Sequence, residues 1–556
     1  MSVYPSVTKS VFRSVHKSLK VPAALLGGAG GYRAETLAYQ TRVEAAGGTM
    51  TDDGLALVDA IFSNAAAQGI TVSRGYVFGT AVNLPAANRT ALELTGNGQS
   101  LVADAASGDS VITCGLGSLC LSGNAGGVGY MKTSSESLFD NTDWTMLVYC
   151  QKPIVDSSGI AGATPILAQY NTYASGRFYL LADQSNAVAF TAISGTSVTI
   201  RGTAYSGGAT IEPLAIFITY NATTRALSAY DPVAQTSTGP SGAMTGAMPV
   251  GGFTALATYL GNTAAATFRS RTTAYMGVIK YSGVLTSAQM ISAWDDFFAA
   301  HCKLIDRAWL IGNSVTSGSD AQEGGSQGAN NWGQKFSVSA VQNNCLVMRP
   351  NSMGGKQLYY YRPADYTSPP VGSSVPLTPP YSSIDSVDTW KKWKPNILVC
   401  DENQNTAANY SHLVSYTVDY AGLLDAIKAD LEEALAGIDT VQMVAGTMLA
   451  VGPDGNTYAQ IITLEASNNY WRRNLRDWSA LIRADEGTRY AAVYDLYTEF
   501  NQGWDAGSDG NAANPTTDYP NGNPAYFYDD HQHPNNAGHT LMATGYWNAV
   551  AGIKTH

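Results

Sequence analysis

Five short apolar runs in the C-terminal part constrain the fold of this chain most strongly. The runs are residues 309–311, 345–348, 397–400, 441–445 and 491–496. Such runs suit strands buried on both faces of a parallel sheet. Between some of them lie amphipathic segments: apolar residues recur at helical spacing in 423–435 and 475–482, with Gly437 and Gly487 as stops. The pattern predicts an α/β/α three-layer domain whose site lies at the carboxyl ends of the strands.

The chain is too long for a single core. At 556 residues, the usual domain size predicts about three or four domains. Only 13% of residues are charged and Gly is abundant, a balance that favours β-rich structure with many turns.

An antiparallel β-sandwich is predicted for the middle of the chain. From about Thr71 short alternating runs are separated by Gly, Asn and Ser, and no long helical segment intervenes. The predicted strands are residues 144–149, 177–181, 187–191, 198–200, 216–220 and 275–281, with a hairpin turn at 221–224. Evenly spaced short strands of this kind are typical of a sandwich.

The N-terminal region is predicted to hold a basic arm and a helical hairpin. The first 20 residues carry four Lys or Arg and no acid, which favours an arm that docks on a partner over a solvated tail or a signal peptide. Residues 35–46 and 51–67 are predicted helices, with Thr51 as N-cap and Gly69 as stop. A hairpin of this size buries too little surface to be stable alone, so we expect it to pack on another chain or on the next domain.

Charge and composition exclude several functions. The net charge of -11 and pI near 5.1 argue against nucleic-acid binding, which needs clustered Lys and Arg. No apolar run of 18 residues occurs, so no membrane span is predicted. No metal-ligand spacing and no phosphate-binding Gly-rich motif appears, so no metal and no cofactor are expected. The six cysteines are interpreted as buried thiols, with a local disulfide conceivable only between Cys114 and Cys120.

Two separated segments suggest nucleophilic catalysis. Near the C-terminus Asp530 precedes His533 by three residues, and Pro534 follows. One loop can therefore supply a general base and its orienting carboxylate. Ser314 follows the first apolar run at a strand end, where a hydroxyl can reach solvent and a base. The alternatives are a turn serine and an acid that only caps the helix predicted from Asn535.

Four blocks resemble the SGNH (GDSL-type) hydrolases in order and spacing. They are residues 308–314, 351–355, 395–403 and 530–534, and the likeness covers about residues 303–556. It implies an α/β/α fold with Ser314 as nucleophile, His533 as base and Asp530 as its partner, in preference to the competitors Asp529, His531 and His539.

The resemblance also implies an oxyanion hole. Its donors are the backbone N–H groups of Ser314 and Gly355 and the side-chain amide of Asn403, with Gly354 leaving the register open by one residue. Two positions depart from the family. Asn313 stands where Asp is usual, and Asp401 stands where Gly is usual. A carboxylate at 401 that pointed into the site would oppose the negative charge of the transition state.

The middle and N-terminal regions carry further resemblances. Residues 138–149 and 283–290 resemble the opening and closing of concanavalin-like (laminin-G-type) domains, over about residues 95–302. This implies a glycan-binding module, or a spacer or trimer-building scaffold. Residues 39–48 look like segments near the N-termini of bacteriophage tail and fibre proteins.

Two long insertions are candidates for substrate contact. Residues 357–393 are rich in Tyr, Pro and Ser and include Tyr359, Tyr360 and Tyr361, and residues 501–526 are rich in Asn, Gly and aromatics. Loops of this length in a compact domain are usually functional. We expect them to line a saccharide groove or to pack on a neighbouring subunit or the sandwich.

Together these features predict an N-terminal arm and helical hairpin (1–75), a β-sandwich (76–302) and an SGNH-like esterase domain (303–556). The expected protein is a phage receptor-binding or tail-fibre-type esterase that removes O-acyl groups, O-acetyl above all, from a bacterial surface polysaccharide. It would be part of the virion, bind other tail proteins through its N-terminus, form a homotrimer and act at the bacterial cell surface. The alternatives are a non-catalytic structural virion protein or glycan-binding adhesin, and a secreted bacterial carbohydrate esterase.

Overall fold

The computed structural model describes most of the chain beyond residue 30. The described residues are 31–82, 90–103, 111–113, 118–121, 130–134, 138–152, 154, 164–170, 177–182, 187–192, 196–201, 211–240, 258–260, 272–312, 314–317, 331–349, 358–361, 386–401, 416–449, 471–501, 525–528 and 533–556. The basic arm lies outside them. In this part of the chain no helix is long and apolar enough to cross a membrane.

The two predicted N-terminal helices are present. They are α1 (Ala34–Ala45) and α2 (Asp52–Ala67). The side chain of Thr51 caps α2 by accepting from the N–H of Gly54 at 3.0 Å, and Gly69 after α2 has a positive φ of 66°, as a helix stop requires. Between the helices, β1 (Thr49–Met50) pairs with β3 (Ala81–Val82).

Two antiparallel sheets form the middle of the molecule. The first sheet is ordered β16-β15-β14-β9-β18-β7-β6, with β2 also paired to β18. Its strands are β2 (Val72–Val77), β6 (Val111–Thr113), β7 (Leu119–Leu121), β9 (Trp144–Gln151), β14 (Pro213–Asn221), β15 (Ala226–Asp231), β16 (Thr236–Thr238) and β18 (Thr273–Ser282). The hairpin of β14 and β15 closes at the predicted turn, where Asn221 pairs with Ala226.

The second sheet covers one face of the first. Its order is β13-β12-β11-β10-β17-β8-β5-β4. Its strands are β4 (Thr90–Ala91), β5 (Leu101–Ala103), β8 (Met131–Lys132), β10 (Thr164–Tyr170), β11 (Arg177–Ala182), β12 (Ala187–Ala192), β13 (Thr196–Arg201) and β17 (Thr258–Leu260). The Tyr275 hydroxyl joins the sheets by donating to the carbonyl of Ile166 at 2.6 Å.

The central strands of the first sheet are buried on both faces. Alternate side chains of β9, such as Met146 and Val148, belong to the core between the sheets. Their neighbours Leu147 and Tyr149 belong to a second core with α2 and α3 (Ser287–His301). The predicted helical hairpin therefore packs on the sandwich. Asn64 of α2 fixes this contact by donating to Asp296 of α3 at 2.6 Å.

The C-terminal part is a five-stranded parallel sheet with helices. The strands are β19 (Asp306–Ile311), β20 (Cys345–Met348), β21 (Ile397–Cys400), β22 (Gln442–Gly446) and β23 (Ala492–Tyr494), in the order β20-β19-β21-β22-β23. All five predicted runs are confirmed as parallel strands. The order is that of doubly wound sheets, in which ligands bind beside the first and third strands, where the chain reverses its direction across the sheet.

Helices cover this sheet. They are α4 (Ser314–Ser317), α5 (Trp332–Gln342), α6 (Val387–Trp390), α7 (Gly422–Leu435), α8 (Trp471–Ala484), α9 (Leu496–Asn501) and α10 (Asn536–Ile553). Short 3-10 helices lie at Leu358–Tyr361 and Lys391–Trp393, and a π-helix at Tyr416–Ala421. Because β19 to β20 and β21 to β22 run in opposite directions across the sheet, right-handed crossovers put α5 and α7 on opposite faces. The last helix α10 packs beside α5, with Trp332 and Tyr546 stacked at 4.6 Å.

The described cysteines are buried thiols. They are Cys120, Cys150, Cys302, Cys345 and Cys400. Cys120 is therefore not part of the local disulfide that its distance from Cys114 suggested. Burial raises the pKa of the Cys345 thiol to about 12, so this group stays protonated near neutral pH.

Candidate active site

Ser314 begins α4 directly beyond the carboxyl end of β19, the second strand of the sheet order. Gly312, between β19 and α4, leaves no room for a side chain. A Cβ there would lie 1.9 Å from Oγ1 of Thr316 and 2.9 Å from Cβ of Asp401. Glycine is therefore required for α4 to approach the end of β21 this closely.

Tyr361 holds the turn before Ser314. Its hydroxyl donates to the carbonyl of Gly312 at 2.7 Å and accepts from the N–H of Gly312 at 3.0 Å. The side chain is fully buried and also contacts the ring of Trp309. Tyr361 thus supports the turn from inside the domain. Substrate contact by Tyr359 and Tyr360 stays a prediction.

Asp401 follows β21 and ties two elements to the end of that strand. The side chain is 0% exposed. Its Oδ2 accepts from the hydroxyl of Thr316, two residues after Ser314. Its Oδ1 accepts at 2.8 Å from the hydroxyl of Tyr546, on the helix that follows His533. The carboxylate therefore joins α4 and α10 at the carboxyl end of β21, the central strand of the sheet.

Asp401 stands where the SGNH hydrolases usually have Gly, and its contacts show what its carboxylate binds. Both carboxylate oxygens are engaged by hydroxyl donors inside the domain, where each hydrogen bond to a charged group is worth about 1.5–3 kcal/mol. Room for Tyr546 comes from Gly446 at the end of β22, where a Cβ would lie 1.8 Å from the phenol oxygen. Asp401 therefore positions α4 and α10, a role that the resemblance to the SGNH hydrolases did not predict.

His533 lies just before α10, in a segment fixed by main-chain contacts. Its carbonyl accepts from the N–H of Tyr528 at 3.0 Å, and Phe527 and Pro534 form an isolated bridge. The side chain of Asn535 donates to the carbonyls of Ala525 and Phe527, both at 3.2 Å. These contacts therefore fix residues 525–528 and 533–535 to each other.

The helix after His533 has its own cap. Asn535 accepts from the N–H groups of Ala537 and Gly538 at 2.9 and 3.1 Å. Because Asn535 caps α10, the first turn of this helix does not need Asp530 as a cap, which was the alternative role predicted for this acid. Asp530 itself lies outside the described residues, as do Gly355, Asn403 and Asn313.

His539, one of the competing histidines, is a core residue. It is 2% exposed, and its Nδ1 accepts from the N–H of Trp332 at 3.4 Å. Burial, and next the nearby Lys335 and His533, lower its pKa to about 3. A group with so low a pKa is a weak base at neutral pH, which favours His533, whose side chain is partly exposed. His531 and Asp529 lie outside the described residues.

Two further residues support α4, and the sequence analysis missed both. Arg349, after β20, is fully buried and donates from Nη1 to the carbonyl of Thr316 at 2.9 Å. Burial lowers its pKa to about 10, so the guanidinium stays charged near neutral pH. The Asn331 amide donates to the same carbonyl at 3.2 Å. For Arg349, the only indication in the sequence of a role near the site was its position directly after a predicted strand.

Several elements therefore converge on the strand ends around Ser314. Thr316, Asp401 and Tyr546 link α4, β21 and α10, and Trp332 links α5 to His539. Among the described residues no group of three His, Cys, Asp or Glu side chains could hold a metal ion. Ser314 therefore begins α4 at a strand end, and α10, the helix that follows His533, reaches the adjacent strand end through Tyr546.

Comparison with known proteins gives weak likenesses. No protein-family model and no curated protein matches this chain. The botulinum neurotoxin serotype D binding domain matches at 9% identity and a TM-score of 0.32, over 43% of this chain and 54% of that one. Trypanosoma rangeli sialidase in complex with sialic acid matches at 13% identity and a TM-score of 0.27, over 41% of this chain and 33% of that one. This chain thus spans about half and about a third of their lengths, and these scores do not establish a common fold.

Proposed function

We propose that this chain is a serine esterase of the SGNH type that removes O-acyl groups, O-acetyl above all, from a bacterial surface polysaccharide. The observation that carries the proposal is the Asp401 carboxylate. It holds the helix that begins with Ser314 and the helix that follows His533 to the same end of the sheet. A nucleophile and a base supplied by distant segments need such a common support.

In the proposed reaction the Ser314 hydroxyl attacks the acyl carbon while His533 accepts its proton and Asp530 orients the imidazole. The N–H groups of Ser314 and Gly355 and the Asn403 amide donate to the oxyanion. Collapse of the intermediate breaks the ester bond, and His533 returns its proton to the departing sugar hydroxyl. Water, deprotonated by His533, then attacks the acyl-serine; the bond to Ser314 breaks, His533 returns its proton to the Ser314 oxygen, and the carboxylic acid is released.

The proposed setting is a phage tail appendage at the bacterial surface. The N-terminal arm would attach to other tail proteins, the sandwich, of the proposed concanavalin-like type, would space the esterase or hold glycan, and a homotrimer would support the assembly. This setting rests on the resemblance of residues 39–48, and the esterase proposal does not depend on it.

Acetate release from O-acetylated bacterial polysaccharides tests the proposal. We expect the native chain to release acetate from at least one such polymer and Ser314→Ala to be slower by about 10⁴-fold or more, as for other serine triads. Ser339→Ala, a partly exposed serine on α5, serves as a matched control and should keep full activity. Equal rates for the native chain and Ser314→Ala would contradict the proposal and favour a non-catalytic glycan-binding or structural role.

A further inference from the structure

A cavity lies between the sandwich and the C-terminal domain. Its volume is about 160 Å³. One side is formed by the adjacent ends of β9, β14 and β15, and the other by α6 and the 3-10 helix Lys391–Trp393. Among the described residues, its lining includes neither Ser314 nor His533.

The polar lining is balanced in charge. Lys152 forms an ion pair with Oε1 of Glu212, and these residues are only 4% and 6% exposed. Asp231 and Lys392 add one more acid and one more amine. Two carboxylates and two amines therefore face one small space, and this lining has no net charge that would favour a charged ligand over a neutral one.

Two carboxylate oxygens in this lining can still accept hydrogen bonds from a ligand. Asp231 uses Oδ1 to accept from the N–H groups of Val233 and Ala234 at 2.8 and 2.9 Å. Among the described residues its Oδ2 accepts no hydrogen bond, and neither does Oε2 of Glu212. Burial raises the pKa of Asp231, with Lys152 and Lys392 acting in the opposite direction, which agrees with both amines lying near this carboxylate.

Two indole rings complete the wall. Trp390 is 1% exposed, and its Nε1–H has no hydrogen-bond partner within the described part of the chain. Trp393 is fixed from behind by Trp294 and Phe298, with ring centroids 6.0 and 6.1 Å away. Trp393, 8% exposed, offers the larger indole surface to the cavity.

From this lining we propose that the cavity is a binding site for one neutral sugar residue. A sugar ring offers an apolar face to an indole and hydroxyls that both donate to carboxylates and accept from amines. An apolar ligand would leave Oδ2 of Asp231 and Oε2 of Glu212 without a donor. The cavity volume of about 160 Å³ is small, which favours a single ring over an oligosaccharide.

Calorimetric titration of the full chain tests this site. D-Glucose, D-galactose and N-acetyl-D-glucosamine are the neutral probes, and D-glucuronate and D-glucosamine are their charged counterparts. We expect at least one neutral sugar to bind with 1:1 stoichiometry, more tightly than either charged sugar. Asp231→Asn keeps an oxygen for the N–H groups of Val233 and Ala234, and Lys392 is exposed, so Asp231→Asn and Lys392→Met should both fold. Each should weaken binding by about 10-fold.

Two controls separate this site from the proposed ester site. Glu44→Gln, an exposed acid on α1, and Ser314→Ala should both bind the sugar as the native chain does. The proposal is overturned if no neutral sugar binds at millimolar concentration, if a charged sugar binds more tightly, or if Asp231→Asn and Lys392→Met leave the affinity unchanged. Loss of binding in Ser314→Ala would also overturn it, because the sugar would then occupy the ester site.

Discussion

At the scale of single residues, Asp401 joins three elements through two hydroxyl donors. In Asp401→Asn one carboxylate oxygen becomes an NH₂ group, and its hydrogen bond from Thr316 or Tyr546 is lost. We expect the free energy of unfolding to fall by about 2 kcal/mol and the esterase rate to fall with it, because α4 and α10 lose their common acceptor. Chemical unfolding and acetate release measure the two effects.

The control for this variant is Asp425→Asn, at an exposed acid on α7 that pairs with Arg489 at 3.1 Å. A surface ion pair contributes about 0–1 kcal/mol, so this change should leave activity intact. Full stability and activity in Asp401→Asn would show that the carboxylate does not position the site.

A second residue-scale prediction concerns His539. Its pKa falls from 6.5 to about 3 on folding. Between these values the unfolded chain binds a proton that the folded chain does not, so this residue makes stability fall as the pH drops through that window. In His539→Gln the loss of stability between pH 7 and pH 5 should be smaller by about 2 kcal/mol. Urea unfolding at both pH values measures it, and an unchanged pH dependence would contradict the burial argument.

The sequence did not reveal the partners of these residues. From its position in the third block, Asp401 was predicted to oppose the oxyanion only if its carboxylate pointed into the site. Its partners Thr316 and Tyr546 are 85 and 145 residues away along the chain, and no local pattern marks such a contact. Tyr361 was likewise predicted to line a saccharide groove or to pack on a neighbouring subunit or the sandwich, because a tyrosine-rich insertion does not indicate which ring is buried in its own domain.

At the scale of elements, the cap of α10 also fixes the segment that bears His533. Asn535 accepts from two N–H groups of the helix and donates to the carbonyls of Ala525 and Phe527. Asn535→Ala should lower stability by about 1 kcal/mol through the lost cap and should slow ester hydrolysis as well, because the base loses its anchor. Thermal unfolding and acetate release measure both effects.

The matched control is Thr286→Ala, which removes the cap of α3, where the Thr286 side chain accepts from the N–H of Gln289 at 3.3 Å. This helix packs on the sandwich, so a similar loss of stability should leave hydrolysis unchanged. If both variants slowed hydrolysis equally, the effect would reflect stability and not the position of the base.

Elements were predictable where burial produces a long pattern. The five parallel strands and the strands β9 and β14 follow from apolar runs, and α7 from its leucine spacing. The two-residue pairing of β1 with β3 and the π-helix at Tyr416–Ala421 left no periodic signal. The pairing of β1 with β3 joins residues that are remote in sequence, and the local i→i+5 hydrogen bonds of a π-helix have no characteristic residue pattern.

At the scale of the whole molecule, a side-chain amide of the sandwich pairs with the main chain of the C-terminal domain and joins the two parts. The Gln151 amide donates to the carbonyl of Val347 at 3.2 Å and accepts from its N–H at 3.0 Å. Ile211 and Arg349 form a bridge beside it. Since Trp393 also packs on Tyr149, Trp294 and Phe298, the two parts should unfold together.

Calorimetric unfolding of Gln151→Met tests this coupling. The variant keeps the side-chain length but leaves the N–H and C=O of Val347 buried without their partner, at a cost of about 2–4 kcal/mol. We expect one transition in the native chain and a lower or divided transition in the variant. Gln40→Met, at a partly exposed position on α1, should unfold as the native chain does. Two separate transitions in the native chain would contradict the coupling.

The most direct test of the central claim is covalent labelling of Ser314 by a fluorophosphonate, followed by mass spectrometry of the peptides. An activated serine displaces fluoride and keeps the phosphonyl group, whereas an ordinary serine does not react. We expect one adduct, on Ser314, that is absent in Ser314→Ala and much slower to form in His533→Ala. An unlabelled Ser314 in the folded chain, or labelling that is as fast in His533→Ala as in the native chain, would contradict it.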